Sequence, residues 1–373
     1  YGMPLLIDGG IDGGPVPAFW ASKNSALQAG SGNGHGMRPE CIRIAFINNM
    51  PDPALEDTEQ QFFELLDAAA VDVPVSLKLY SLPGIPRGDR GEERLKNFYH
   101  GIDDLLNGQF DACIVTGTEP HQSSLREEPY WSTLVDVLEW AERNTTSTVL
   151  SCLAAHASVL HSDGIERHRL EDKQFGVFEF RRVRDHGLTR GMADRVRIPH
   201  SHWNEVREDA LVSCDYVVLT KSAEDGVDSF VKKKKKSSFI YFQGHPEYGA
   251  RTLLKEYRRD IKRFLKRERA TYPSMPCGYF EAAATSFLSD FREKVLADPR
   301  EELLEGFPEA MVAGTLQNAW HSSATSIYRN WLHYVISRRS ETSAFVAMAA
   351  FLDQNEHKRS EPLPTPQYRN NMR

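Results

Sequence analysis

Hydrophobic and polar positions in the first half of the chain follow two alternating periods. Short apolar runs are typical of buried strands, and apolar residues that recur every three or four positions are typical of helices packed on one face. The predicted strands cover residues 42–47, 73–80, 110–115 and 146–151. The predicted helices cover residues 55–70, 93–106 and 129–143. This alternation predicts an α/β fold with a mostly parallel sheet flanked by helices.

The pattern changes near residue 175, where short β-rich pieces replace the strand–helix alternation. The predicted strands are residues 175–180, 195–198, 216–219, 227–231 and 239–242. Asp225-Gly226 indicates a hairpin turn. Helical periodicity returns at residues 248–269, 278–296 and 320–336. The run Lys232–Lys236 lies between two strand-like pieces. A solvated hairpin tip is its ordinary interpretation, and binding of the phosphates of a nucleotide-like ligand is the alternative.

Composition divides the chain into four parts. Residues 1–38 are rich in Gly, Ser and Asn and predict an irregular arm, although Pro15–Trp20 is apolar enough to dock on the body or on a partner subunit. Residues 39–270 form the predicted catalytic α/β domain, and residues 271–340 a C-terminal helical extension. Residues 341–373 hold a helix end and a polar tail that is predicted to be disordered.

Charge and cysteine content exclude several classes of protein. The 373 residues carry a net charge of −7, so no basic excess indicates a nucleic-acid partner. No apolar run approaches the ~20 residues of a membrane span, and no signal-peptide pattern is found. The five cysteines are widely spaced without a CxxC pair, which suggests neither a metal site nor a disulfide framework. We therefore expect a cytoplasmic protein with reduced thiols and with no bound metal or cofactor.

The clearest candidate for chemistry is Cys152, in the stretch Thr146–Ala157. An apolar run ends at this cysteine, and small residues begin a helix directly after it. A thiol on such a strand-to-helix turn is exposed, and the helix dipole favours its thiolate. The strand ends at Asn48–Asp52 and Thr116–Glu119 are expected on the same edge of the sheet. The alternative is a buried, inert cysteine.

A cysteine nucleophile needs a base and a group that orients the base. His245 and Glu247 follow a strand-like run and are two positions apart, so in an extended chain both side chains lie on one face. Glu247 could then accept a hydrogen bond from one ring nitrogen while the other nitrogen meets the thiol. The alternative for His245 is an ordinary loop histidine. His156, one helical turn after Cys152, is expected to pack or to line the pocket.

A strand-end cysteine with a later His-x-Glu resembles class I glutamine amidotransferases, although this chain lacks their glycines on both sides of the cysteine. The closer resemblance is to the homoserine O-succinyltransferase/O-acetyltransferase family, which shares that flavodoxin-like fold. The matching segments include Asn49–Pro51, Glu59–Leu66, Phe110–Gly117, Thr146–Ala155, Phe175–Glu179, Pro199–Ser201, Gly244–Asp260 and Asn330–Leu332. They run from about residue 42 to residue 336, which is most of the chain.

The resemblance implies a ping-pong acyl transfer in methionine biosynthesis. Cys152 would take the acyl group of succinyl-CoA or acetyl-CoA as co-substrate, and a hydroxy amino acid would then accept it with His245 as base. Glu256 and Arg259 align with the family residues that hold the amino acid, and Ser201 is grouped with them. An anion suits the ammonium of the acceptor, and a planar guanidinium suits its carboxylate. The resemblance also implies a homodimer.

Three positions depart from the family pattern. The family lysine after Met-Pro is absent, and ionised Asp52 can only accept hydrogen bonds, so the Leu153 amide is the predicted oxyanion donor. The position that separates succinyl from acetyl donors is His121, which leaves the acyl group open. The family arginine after Pro-His-Ser is His202, so the acceptor pocket could favour serine or a specialised amino acid over homoserine.

Three hypotheses follow from these residues. The first is an acyl-CoA-dependent O-acyltransferase acting on an amino-acid hydroxyl, most simply a homoserine O-succinyltransferase. The second is another thiol-dependent acyl or amide transfer, such as a glutaminase-like reaction, which glutamine turnover without CoA would distinguish. The third is a non-catalytic binding protein with the same fold, for which an unreactive Cys152 would be the sign.

Overall fold

The computed structural model describes residues 5–8 and 41–359. Its strands are β1 Leu5–Asp8, β2 Ile42–Ile47, β3 Val75–Tyr80, β4 Ala112–Val115, β5 Ser147–Ser151, β6 His168–Arg182, β7 Arg195–Glu205, β8 Val217–Ser222, β9 Gly226–Lys234 and β10 Ser237–Phe242. Its α-helices are α1 Asp52–Ala69, α2 Asp89–Phe98, α3 Ile102–Asn107, α4 Trp131–Asn144, α5 Leu153–Asp163, α6 Glu208–Ser213, α7 Thr252–Leu265, α8 Ala282–Ala297, α9 Glu309–Ala313 and α10 His321–Arg359.

All ten strands belong to one sheet, in the order β1-β3-β2-β4-β5-β10-β9-β8-β6-β7. Every pair from β1 to β10 along this order is parallel, and every pair beyond β10 is antiparallel. The predicted α/β fold with a mostly parallel sheet is therefore confirmed. The parallel strands β2, β4 and β5 are almost entirely buried, as expected for strands covered by helices on both faces.

The sequence misses one break in a helix. Residues 93–106 were expected to form one helix, but α2 and α3 are separated by an extended segment around His100. The His100 amide donates to the Leu79 carbonyl at 2.8 Å, which continues the parallel pairing beside Tyr80. Because a backbone amide held by a strand cannot also serve a helix, the helix stops there.

Two predicted segments lie partly outside the described residues. Leu5–Asp8 pair in parallel with Val75–Lys78, so this part of the predicted irregular arm is a strand, while the Pro15–Trp20 stretch lies outside the described residues. The last helix continues to Arg359, well beyond the predicted end at residue 336, and residues 360–373 of the predicted tail are not described. The described residues up to Val335 form one compact unit, and those after it belong to a second.

The lysine run ends β9 with Lys232–Lys234 and forms the turn to β10 with Lys235 and Lys236, as the hairpin interpretation predicts. Its members are not simply solvated: Lys232 and Lys234 contact Asp163 at 2.8 and 3.5 Å, and Lys235 pairs with Glu142 at 2.9 Å. These carboxylates neutralise much of the positive charge. The turn therefore offers little free charge to a phosphate ligand.

The sheet topology brings distant segments to one edge. The parallel strands β2, β4, β5 and β10 all end at this edge, and the chain immediately after each strand enters the loops there. A Cys152 N–H bond to the Phe242 carbonyl, 2.7 Å long, ties the end of β5 to the end of β10. This bond places the cysteine next to the loop that carries His245.

Candidate active site

Cys152 lies on a strained turn between β5 and α5. Its backbone has φ 50° and ψ −111°, a conformation that a residue with a side chain rarely adopts. Such strain costs about 1–3 kcal/mol and is found where a side chain must be presented at a functional site. The cysteine is half-buried, and the helix that begins at Leu153 directs its N-terminus at the sulfur. This matches the predicted strand-to-helix turn.

His245 and Glu247 lie in the loop after β10 and contact each other as predicted. His245 Nδ1 and Glu247 Oε1 are 2.8 Å apart, and both side chains are buried. Burial acts to lower the pKa of His245, but the negative charges of Glu247 and Cys152, and hydrogen bonds to both, raise that pKa well above its ordinary value. His245 therefore carries a proton at neutral pH, between a carboxylate on one side and the thiol on the other.

Neighbouring groups fix this arrangement. The Ser151 hydroxyl donates to Glu247 Oε1 at 3.3 Å, and the Tyr248 ring stacks on His245 with 4.2 Å between centroids. The His245 amide donates to the Pro199 carbonyl at 2.8 Å. The imidazole is thus held in one orientation by contacts on its edge, its face and its backbone.

A cavity of about 560 Å³ opens in front of Cys152. Its lining contains Cys152, His245 and Glu247 together with Met50, Thr116, Gly117, Leu153, His156, Arg167, Lys173, Ser201, His202, Glu256 and Arg259. The strand ends predicted to share one edge do meet in this cavity. Its size suits a small-molecule substrate.

Glu256 contributes a negative charge to the lining of the same cavity. Burial raises its pKa, but the charges of Lys173 and Arg259 and hydrogen bonds from Ser201 and Tyr248 outweigh burial and lower it. The Tyr248 hydroxyl donates to Glu256 Oε1 at 2.6 Å, and the Ser201 hydroxyl donates to Oε2. The predicted set of Glu256, Arg259 and Ser201 is thus one connected cluster.

Lys173 belongs to this cluster and was missed by the sequence analysis. Its ammonium lies 3.4 Å from Glu256 and 3.5 Å from Asp260, and Arg259 contacts Asp260 at 3.0 Å. The lysine comes from β6, 83 positions before Glu256. The only sequence signal was its place two residues before the matching segment Phe175–Glu179.

Leu153 remains the predicted oxyanion donor. As the first residue of α5, its amide has no intrahelical acceptor. The backbone of Gly117 approaches it so closely that a Cβ on Gly117 would lie 3.0 Å from the Leu153 nitrogen. A side chain at position 117 would therefore crowd this amide.

Asp52 is excluded from holding an oxyanion. Its carboxylate accepts from the Gly88 amide at 2.7 Å and from Arg87 at 3.1 Å. It therefore anchors the loop before α2. No lysine takes the place of the family residue in this segment.

The structure does not place His121 in the cavity. Its side chain is exposed, and its backbone amide donates to the buried Glu128 carboxylate at 2.7 Å, as does that of Gln122 at 2.8 Å. Glu128 thus fixes the loop backbone through these two hydrogen bonds, while the His121 ring stays exposed to solvent. Its predicted role in reading the acyl group therefore stays a prediction without a contact in this conformation.

His202 lines the cavity and ends a buried chain of polar groups. His202 Nε2 and His200 Nδ1 are 2.8 Å apart, and His200 Nε2 lies 3.2 Å from Asp228 Oδ1. Burial and the charges of His200, His156 and His245 lower the pKa of His202 well below its ordinary value. The chain replaces the cation that the family pattern would place here with a neutral ring.

His156 packs beside the site rather than joining the chemistry. It is buried, and its Nε2 lies 2.9 Å from the Gln243 side-chain oxygen. Burial lowers the pKa of His156 to about 4, so it is neutral at neutral pH. This agrees with the expected packing and pocket-lining role.

Metal sites, membrane-spanning helices and disulfides are the other features on which the described residues bear. In that part of the chain, no group of three or more His, Cys, Asp or Glu side chains could hold a metal ion. None of its helices is long and apolar enough to cross a membrane. The five cysteines all lie in it and are free thiols.

Comparison with known proteins gives consistent results. The profile of the family described as homoserine O-succinyltransferase matches residues 23–342. A homoserine O-succinyltransferase from Rhodopseudomonas palustris is 42% identical over 292 residues, which cover 78% of this chain and 87% of that protein. One from Bradyrhizobium japonicum is 41% identical over 314 residues, which cover 84% and 96% respectively.

Solved structures with a similar chain path include a glutamine amidotransferase from Thermotoga maritima. It is 15% identical, has a TM-score of 0.40, and the match covers 79% of this chain and 99% of that one. A glutaminase domain from Trypanosoma brucei with bound acivicin is 15% identical, with a TM-score of 0.39 and coverage of 64% and 98%.

Proposed function

The chain belongs to the homoserine O-succinyltransferase family, and on this premise we propose that it transfers an acyl group from acyl-CoA to the hydroxyl of homoserine through a thioester on Cys152. It is an acyltransferase of methionine biosynthesis with small-molecule substrates. The observation that carries the proposal is the contact between a strained, half-buried cysteine and a histidine whose pKa is raised by Glu247 and Cys152.

The first half-reaction uses the proton on His245. The Cys152 thiolate attacks the carbonyl carbon of the acyl thioester, and the oxyanion that forms is met by the Leu153 amide. When the carbon–sulfur bond to CoA breaks, His245 donates its proton to the departing thiolate. CoA leaves as a thiol, Cys152 carries the acyl group, and His245 is neutral.

The second half-reaction returns that proton. The acceptor hydroxyl attacks the acyl carbon, and neutral His245 takes the hydroxyl proton as the new carbon–oxygen bond forms. The Cys152 thiolate leaves, and the ester is released. Because the thiolate and the protonated imidazole are restored together, no other proton donor is required.

The cluster around Glu256 supports binding of the amino-acid acceptor. Glu256 is partly buried, with 14% of its side chain exposed, and its lowered pKa keeps it ionised, which suits an α-ammonium group. Arg259 is half-exposed beside it and able to meet an α-carboxylate. Lys173 would share that carboxylate. The acceptor hydroxyl would then point towards His245, which lines the same cavity and is joined to Glu256 through Tyr248.

The proposal is tested by intact-mass spectrometry of the protein mixed with succinyl-CoA or acetyl-CoA. We expect a mass gain of one acyl group in the parent and none in Cys152→Ala, followed by loss of the adduct when homoserine is added. Serine serves as the acceptor control. If neither donor gives an adduct and the protein hydrolyses glutamine, the result would contradict the proposal and favour amide chemistry.

The homodimer and the cytoplasmic location remain proposals. The family resemblance supports the first, and the reduced state of all five cysteines suits the second. Sedimentation of the full chain over a range of concentrations would test the dimer.

A further inference from the structure

A second cavity of about 490 Å³ adjoins the one that holds the nucleophile. The loop that carries residues 120–125 forms one wall, and Arg167, Arg169 and Asn204 form part of the other. Arg167, Arg169, Asn204 and His156 line both cavities, so the two spaces share a wall beside Cys152. The shared wall carries positive charge.

Arg167 has no partner of its own in the described part of the chain. It forms neither an ion pair nor a hydrogen bond there, whereas its neighbours are engaged: Arg126 pairs with Glu166 at 2.9 Å, and Arg169 stacks on Trp203 at 4.3 Å. Glu128 is nearby, but one of its oxygens is occupied by two amides of the 120–125 loop.

The guanidinium is nevertheless half-buried. Burial lowers the pKa of Arg167, and the nearby Glu128 carboxylate acts against that effect without cancelling it. Holding a cation away from water without a partner is costly unless an anion meets it during the reaction. Arg167 and Cys152 line the same cavity, so an anion bound at Arg167 would lie close to an acyl group on the sulfur.

We propose that Arg167 binds the terminal carboxylate of a dicarboxylic acyl group, such as succinyl, while that group is attached to CoA or to Cys152. This inference rests on the proposed acyl transfer and adds the residue that selects the donor. A guanidinium fork can hold a carboxylate with two parallel hydrogen bonds. An acetyl group, which lacks the carboxylate, gains nothing from this contact.

The experiment compares succinyl-CoA and acetyl-CoA as donors in the rate of Cys152 acylation. Arg167→Leu should lower the second-order rate constant with succinyl-CoA by about 10- to 100-fold and change that with acetyl-CoA by less than about 3-fold. Arg167→Lys keeps the charge without the guanidinium fork, so its rate constant with succinyl-CoA should lie between those of the parent and of Arg167→Leu. Arg126→Leu removes an exposed pair on the outer surface and should match the parent.

Two further measurements distinguish binding of the acyl carboxylate from binding of CoA and from an effect on the thiol. Inhibition by free CoA should be unchanged in Arg167→Leu, since its phosphates are not the proposed ligand. Alkylation of Cys152 by iodoacetamide should also stay within about 3-fold of the parent, which shows that the variant is folded and its thiol intact.

Equal losses with both donors, weaker inhibition by CoA, or slower alkylation would overturn the inference, because Arg167 would then serve CoA or the thiol. So would a parent enzyme that accepts acetyl-CoA but not succinyl-CoA. A parent that is acylated by neither donor contradicts the proposed function itself, which makes the two failures distinguishable.

Discussion

Two buried carboxylate–histidine pairs lie at the same end of this sheet and differ in what the histidine meets next. Glu247 holds His245 at 2.8 Å, and beyond His245 is the Cys152 thiol. Asp228 holds His200 at 3.2 Å, and beyond His200 is a second imidazole, His202. The first pair follows the last parallel strand; the second lies within the antiparallel strands β7 and β9.

The groups around each histidine decide its charge. The negative charges of Glu247 and Cys152 and hydrogen bonds to both outweigh burial and raise the pKa of His245, which leaves a protonated imidazole beside the sulfur. At the second pair, burial first and then the charges of His200, His156 and His245 lower the pKa of His202 well below its ordinary value. The same residue types thus give a reactive centre in one place and a neutral wall of the pocket in the other.

The largest effect is expected where the first pair is broken. His245→Asn removes the proton carrier of both half-reactions and should lower kcat by about 10²- to 10⁴-fold. Steady-state kinetics with thermal unfolding as a fold check measure this. His200→Asn is the matched control in the second pair, and an equal loss of kcat there would show that the two pairs are not distinct.

Glu247→Gln tests the source of the charge on His245. Glu247 is the strongest of the groups that raise the pKa of His245, so without it this pKa should fall. His245 is then deprotonated at lower pH, and the alkaline limb of kcat/KM should move to lower pH. A pH–rate profile measures the shift, and an unmoved limb would contradict the assignment.

The same shift predicts a pH dependence of stability. Because the pKa of His245 is raised by folding, its contribution to the free energy of unfolding is complete below about pH 6.5 and is lost as pH rises through the raised value. Denaturant unfolding of the parent and of His245→Asn should therefore differ most below that pH. A difference that grows with pH would have the wrong sign.

Asp228→Asn should affect stability more than catalysis. The Thr220 hydroxyl donates to Asp228 Oδ2 at 2.7 Å, and the carboxylate is buried against His200, so the change weakens two buried contacts at about 1–3 kcal/mol. Urea unfolding measures it. Gly244 lies against the same pair, and a Cβ there would approach His200 Nε2 to 2.4 Å, so Gly244→Ala should give a comparable loss.

The smallest effect is expected at His121. Its ring is exposed and outside the cavity, so His121→Ala should change kcat/KM by less than about 3-fold with either acyl donor. A clear change in the ratio of the kcat/KM values for the two donors would show that the 120–125 loop closes over the acyl group during the reaction.

The sequence alone determined the parallel strands β2, β3, β4 and β5 and the first pair. Apolar runs such as residues 42–47 predict buried strands, and Cys152 falls at the end of one of them because the pattern changes from strand to helix there. His245 and Glu247 are two positions apart, so their contact is local to one loop, but the expected extended chain is wrong there: the contact forms in a turn that the Tyr248 amide closes by donating to the His245 carbonyl at 3.1 Å. The Glu256–Arg259 cluster was found through the family resemblance, since a charged helix by itself reads as a solvated face.

Only the tertiary structure decided the remaining features. The break at His100 depends on a bond to Leu79, and the second pair joins Asp228 to His200 across strands 28 positions apart in sequence. Lys173 reaches Glu256 from β6, and Arg167, which directly precedes β6, lines the cavity beside Cys152. Periodicity and spacing report contacts within a few residues along the chain, whereas these contacts arise when the antiparallel strands fold against the parallel ones.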